Sequence, residues 1–134
     1  QLRRYKDMMT RRHKIIQMYD ERLRTHFIST LNHKNEFHQS SGHLYLTRIH
    51  GIDEKQRNRI IQQMAEKGIS CNVHYKPLPM LTAYKDMGFH IEDFPNAYDL
   101  YRNEITLPLY STLSDEQVSY ILKQFLTILE EYRC

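Results

Sequence analysis

Between Gly68 and Pro77 the chain alternates. Ile69, Cys71, Val73 and Tyr75 are apolar or aromatic, and Ser70, Asn72 and His74 between them are polar. That period of two predicts a strand over residues 69–75 with one buried face, carrying Cys71 and Tyr75 inward. Both ends are marked. Gly68 closes a helical pattern upstream, as a residue tolerant of a left-handed backbone does. Lys76-Pro77-Leu78-Pro79 then turns the chain away, because proline cannot donate to a sheet ladder. A half-buried strand needs neighbours, so the chain is confined to folds that build a sheet and pack helices on it. His74 falls at the strand end, opposite the buried face. A strand end before a rigid turn suits a functional side chain; an ordinary exposed histidine is the plainer reading.

The neighbours can be read on either side. His43-Leu44-Tyr45-Leu46-Thr47-Arg48-Ile49 predicts a first strand. Asp53 is a good N-cap with Gln56 at the capping-box position, which predicts a helix over 54–67 that buries Ile60, Ile61, Met64 and Ala65. A short helix over 80–87 closes at Gly88, and another over 94–101 has Pro95 in its permitted first turn. Ile105, Leu107 and Leu109 share a face of a third strand, which Pro108 places at an edge or an end. Ser114 with Gln117 caps a last helix, whose Val118, Ile121, Leu122, Phe125, Ile128, Leu129 and Tyr132 form a broad apolar face. Residues 1–31 contain no Pro or Gly. Leu2, Tyr5, Met9, Ile16, Tyr19 and Leu23 follow helical spacing, broken only by Arg12, so one long linking helix is expected there. The fold class is α+β: a small three-stranded sheet over 43–134 packed with helices, behind a long N-terminal helix.

At 134 residues, with 40% hydrophobic and 26% charged residues, one globular domain is expected. No apolar run approaches the roughly 18–20 residues a membrane helix needs. There is no signal peptide, and Cys71 and Cys134 suggest a core thiol and an exposed end; a reducing, cytoplasmic setting follows. The missing initial Met suggests an excised piece. Charge is uneven: residues 1–24 carry eight Lys/Arg against three Asp/Glu, and the remainder eleven against thirteen. The basic segment is either a phosphate-seeking arm or a helix face that is solvated or meets an acidic surface. His33, His38 and His43 recur at a spacing that fits no helix face and no zinc motif, so no metal site is assigned and they read as solvated loop histidines.

No glycine-rich phosphate loop or serine nucleophile elbow is present. A longer pattern is. Gly68-Ile69-x-x-x-Val73-His74-Tyr75-x-Pro77-Leu78, Tyr84-x-x-x-Gly88, Phe94-Pro95-x-Ala97 and Leu107-Pro108-Leu109-Tyr110-x-x-Leu113-Ser114 occur in that order. This series, behind Gln1-Leu2 and an Arg-rich helix, resembles the C-terminal part of the DegT/DnrJ/EryC1/StrS family of sugar aminotransferases, which use pyridoxal phosphate (PLP). The likeness runs along essentially the whole chain.

The resemblance implies the small domain, residues 1–134, of a fold-type-I aminotransferase. The large domain, which would hold PLP and supply the lysine that bonds it, would precede Gln1. No catalytic or cofactor-binding residue is expected in this chain, and the piece alone should be inactive. The whole enzyme would move an amino group, with glutamate as donor, onto a keto-sugar nucleotide, as a homodimer, off the membrane and without nucleic acid. His74 and Tyr75 are the implied substrate-binding residues. His74 would hydrogen-bond or orient the sugar, and Lys76 could attract the phosphates as a point charge. Many members carry a second histidine where this chain has Pro79, which bears on the identity of the sugar. The competing function is a non-catalytic interaction module whose basic helix binds nucleic acid or an acidic protein.

Overall fold

The computed structural model describes residues 2–25 and 27–132, the Leu2 side chain excepted, so Cys134 and the Leu2 position of the apolar stripe lie outside the described residues. Among the described residues, five helices and three strands follow in order: α1 (Leu2–Leu23), β1 (Ile28–Thr30), β2 (Tyr45–Ile49), α2 (Glu54–Glu66), α3 (Thr82–Lys85), α4 (Pro95–Arg102), β3 (Glu104–Leu107) and α5 (Asp115–Glu130). Short 3-10 turns lie at Leu78–Met80 and Ile91–Asp93. The class is α+β with a three-stranded sheet, but the three strands are not the three expected.

The first departure is in the long helix. α1 stops at Leu23 instead of running to residue 31. Thr25 and Ile28 exchange backbone hydrogen bonds at 3.3 Å in each direction, and the Thr25 hydroxyl also accepts from the Ile28 N–H. The chain therefore reverses, and Ile28-Ser29-Thr30 pairs with β2. These residues suit a pleated, half-buried surface.

The second departure is the segment 69–75, which forms no strand. Its only ladder contact among the described residues is a bridge between Asn72 and Thr106, with hydrogen bonds of 3.2 and 2.8 Å. Side chains take two further donors: the Asn72 side chain accepts from the Val73 N–H, and the Glu104 carboxylate accepts from the His74 N–H. With those groups satisfied, no ladder can extend. The His74–Tyr75 peptide bond is cis. Ile69 is buried and Cys71 packs against the core, but Tyr75 is 72% exposed, contrary to the inward face expected for it.

The sheet is antiparallel throughout, in the order β1-β2-β3. Tyr45, Thr47 and Ile49 of β2 face the core, together with their partners Leu107 and Ile105 on β3 and Ile28 on β1. α1, α2 and α5 cover that face with Ile15, Ile16, Tyr19 and Leu23, Ile60 and Met64, and the α5 residues from Val118 to Leu129. Tyr5, expected in the α1 stripe, is 54% exposed. On α2 the third buried position is Arg57, while Ile61 is half-buried and Ala65 exposed. The Arg57 guanidinium can be buried because it donates to the Tyr101 carbonyl at 3.1 Å and sits over the Tyr101 ring, 4.6 Å from its centroid. Both expected capping boxes are present, Asp53 with Gln56 and Ser114 with Gln117.

Part of the basic charge of α1 is taken up within the chain. Arg11 and Lys14 both reach Asp115, at 2.5 and 2.6 Å, in the first turn of α5. Of the loop histidines, His33 is buried, bonded to the Ser40 hydroxyl and stacked on Tyr45, whereas His38 and His43 are exposed. That loop passes over α1 at Gly42, where φ is +59°; a Cβ there would lie 3.0 Å from Ile16 Cδ1 and 3.2 Å from Arg12 Cβ. At Gly68 φ is +74° but nothing lies within 4 Å. Gly42→Ala and Gly68→Ala should each lose about 1–2 kcal/mol for the left-handed backbone. Gly42→Ala should lose about 1 kcal/mol more from crowding α1. Equilibrium urea unfolding of the two variants checks the order.

Candidate functional site

Because successive strand residues point to opposite faces, the register that sends Tyr45, Thr47 and Ile49 inward sends Leu46 and Arg48 outward. Their partners on β3, Thr106 and Glu104, share that outer face, and so does Ser29, opposite Arg48 on β1. The outer face is the floor of a cavity of about 300 Å³. Ala97, Leu100 and Tyr101 of α4 form one wall, and His74 with Tyr75 forms another.

The polar side chains of the floor are held by named contacts. Arg48 Nε donates to the Asn103 side chain at 3.1 Å, and Nη2 donates to the Asp99 carboxylate at 2.8 Å. Arg48, and after it Arg102, hold the Asp99 carboxyl below the usual range. Arg48 is thereby tied to the end of α4, with its stem along the cavity. Glu104 is 4% exposed. Its Oε2 accepts from the His74 N–H at 2.9 Å, and its Oε1 accepts from the Thr106 hydroxyl at 2.5 Å. Burial pushes the Glu104 carboxyl up from its ordinary value, and those two hydrogen bonds and the Arg57 charge partly offset the rise. The Thr106 oxygen also lies 2.9 Å from His74 Nδ1.

His74 is half-buried in the cavity wall, gripped at its backbone and at its ring. Tyr75 lines the same cavity with its ring edge-on to His74, the centroids 4.6 Å apart. Lys76 is exposed and does not line the cavity. Sequence reasoning passed over Arg48, Tyr101, Glu104 and Thr106. A charged residue at an outward strand position was the available signal for Arg48; Glu104 had none until the strand partner was known.

The cavity offers guanidinium, hydroxyl, imidazole and carboxylate groups beside aromatic rings, a mixture that binds and orients a hydroxylated ligand. Every lysine of the chain is exposed and none lines the cavity. Cys71, the free thiol among the described residues, is shielded and pushed up to about 12 by burial, far from a nucleophile. The residues present therefore do not fit a covalently held PLP.

This chain belongs to the DegT/DnrJ/EryC1/StrS aminotransferase family, whose model matches residues 1–126. Among solved structures it is similar to Spr1654 of Streptococcus pneumoniae, named as a sugar aminotransferase, in its PLP-form. The identity is 48% and the TM-score 0.95, over 99% of this chain and 34% of that one. Among curated proteins it is 28% identical to the UDP-4-amino-4,6-dideoxy-N-acetyl-beta-L-altrosamine transaminase of Helicobacter pylori, over 99% of this chain and 35% of the relative. It is 32% identical to the uncharacterized protein MJ1066 of Methanocaldococcus jannaschii, over 99% and 35% of the two chains. The chain thus spans about a third of the length of the relatives it matches. No helix among the described residues is long and apolar enough to cross a membrane.

The buried Glu104 has a consequence for stability. A carboxyl whose folded value lies above its unfolded one stabilises the protein while protonated, and that contribution is lost as pH rises through the folded value. Glu104→Gln should therefore gain stability relative to the parent as pH rises from below 4.5 to 7. Urea unfolding of both proteins at the two ends of that window checks the sign; a variant that loses stability relative to the parent as pH rises would contradict it.

Proposed function

We propose that this chain is the small domain of a PLP-dependent sugar aminotransferase, and that its outer sheet face closes one side of the substrate site. The full protein would carry a preceding large domain, work as a homodimer, and move an amino group from glutamate to a keto-sugar linked to a nucleotide. The observation that carries this reading is the cavity walled by His74, in a chain whose family and relatives are aminotransferases. PLP supplies the electron sink for amino transfer, and its lysine would come from the rest of the protein.

Within that assignment the side chains here bind and orient. His74 lines the cavity from a backbone held by Glu104. The exposed Tyr75 ring gives a flat face for a sugar or base. Lys76, outside the cavity and in water, acts on phosphate oxygens only as a point charge. The Tyr101 ring is fixed by Arg57 beneath it and by Glu54, which accepts its hydroxyl proton at 2.9 Å.

The full-length gene product with PLP should show a visible absorbance band that changes on adding glutamate. A folded full-length protein that stays colourless would remove the proposal. In the active enzyme, His74→Ala should keep the band and lower kcat/KM for the sugar substrate about 10-fold, the worth of one good hydrogen bond. Steady-state kinetics with sugar varied at saturating glutamate measures this.

A further inference from the structure

The hydrogen bonds around His74 have a direction. The Thr106 hydroxyl has one proton and sits between two groups, Glu104 Oε1 at 2.5 Å and His74 Nδ1 at 2.9 Å. In its ionised form Glu104 only accepts, so above its raised titration range the hydroxyl proton goes to it. Glu104 Oε2 is likewise fixed as an acceptor, since the His74 N–H can only donate. With its proton committed, the Thr106 oxygen can only accept from His74, and Nδ1 must carry the ring proton. Nε2 then keeps its lone pair, and it makes no hydrogen bond to the described residues.

We infer that Glu104, acting through Thr106, is a positioning residue that fixes the tautomer of His74 so that Nε2 faces the cavity as a hydrogen-bond acceptor. This rests on the cavity being a substrate site, and it narrows what His74 can hold there. A neutral ring with a bare Nε2 takes a donor, a sugar hydroxyl or an amine N–H, and rejects a keto oxygen or a phosphate oxygen. His74 thus reads a donor-bearing part of the substrate, a hydroxyl or an N–H, and neither the carbonyl that reacts nor the phosphates. The whole cluster lies on the outer face fixed by β2–β3 pairing, so the direction is built into the sheet.

The substitution Glu104→Gln reverses the direction without changing shape. The His74 N–H still needs an acceptor, so the amide oxygen must turn to it, leaving the NH2 to donate to Thr106. The Thr106 proton is then released toward Nδ1, and the ring proton moves to Nε2.

The test is 15N–1H correlation of histidine ring nitrogens in the full-length protein with PLP, at a pH where the ring is neutral. His74→Gln identifies the signal. The expected result is protonation at Nδ1 in the parent, inversion to Nε2 in Glu104→Gln, and a mixture in Thr106→Val that Thr106→Ser restores. Alongside the inversion, kcat/KM for the sugar should fall about 10-fold in Glu104→Gln, with the PLP band unchanged. A parent ring protonated at Nε2, or one that holds both protons into alkaline pH, overturns the inference, and so does a Glu104→Gln ring that keeps the parent tautomer. The parent spectrum decides even if the variants fail to fold. A colourless protein with the Nδ1 tautomer would sink the aminotransferase reading and leave the relay standing; a coloured, active enzyme with the Nε2 tautomer would do the reverse.

Discussion

The pairing of β2 with β3 is the constraint on which the rest depends. Its register sets Tyr45 opposite Leu107 and Thr47 opposite Ile105 on the core side, and Leu46 opposite Thr106 and Arg48 opposite Glu104 on the other. A slip of β3 by one residue would turn it over, sending Glu104 and Thr106 into the hydrocarbon packed by α1, α2 and α5. The Thr47 hydroxyl ties the register from inside by donating to the Ile105 carbonyl at 2.7 Å. The core therefore specifies the site. The apolar alternation that buries Tyr45 and Ile49 is the same alternation that assembles the polar floor of the cavity.

That floor works against stability in one place. Glu104 is buried, and burial disfavours its charged form. Two hydrogen bonds and the Arg57 charge moderate the penalty, and Arg57 is itself buried, with its guanidinium on the Tyr101 and Glu104 carbonyls and on the Tyr101 ring. Charged groups are seldom retained so far from water unless satisfied. Here the Glu104 carboxylate is satisfied by the His74 N–H and the Thr106 hydroxyl, and Arg57 by the backbone carbonyls between α4 and β3, an arrangement that holds the α4 wall against the sheet. The two expensive side chains thus stiffen the junction on which His74 rests, in the way a binding site needs its supporting groups held.

Much of this was legible in the sequence, and the reasons differ by element. α5 was readable at its start, which Ser114 and Gln117 mark, and along its wide, regular apolar face to Leu129, whereas Tyr132, expected on that face, lies beyond the helix end at Glu130. α2 was equally clear at its cap, yet its buried face was misjudged. Arg57 looks like a surface residue until the carbonyls that accept its protons are known to lie across the core. The run from 1 to 31 lacked helix breakers, and it ended at Leu23 because Thr25 closes a backbone turn with Ile28, an interaction local in space but weakly coded in type. β1 then became visible only through its partner β2. Glu104 and Thr106 carried no functional signal of their own, since the ligand of each is a residue about thirty positions upstream.

The segment 69–75 shows why the misreading fell where it did. Its alternation is real: Ile69 and Cys71 pack inward, as a half-buried strand would have them. A strand, however, would give the His74 N–H to a neighbouring backbone carbonyl. Here that donor goes to a side chain, Glu104, which could reach it only if β3 ran alongside without pairing fully. Extending the ladder would have taken the partner of Glu104 Oε2 and left that oxygen buried without one. The sheet therefore stops at a single bridge between Asn72 and Thr106, and the freed backbone swings His74 and Tyr75 over the outer face. Local pattern and observed structure disagree over the few residues whose hydrogen bonds are spent on the cavity instead of the sheet. Such a conflict is expected where a fold gives up regularity to place a side chain.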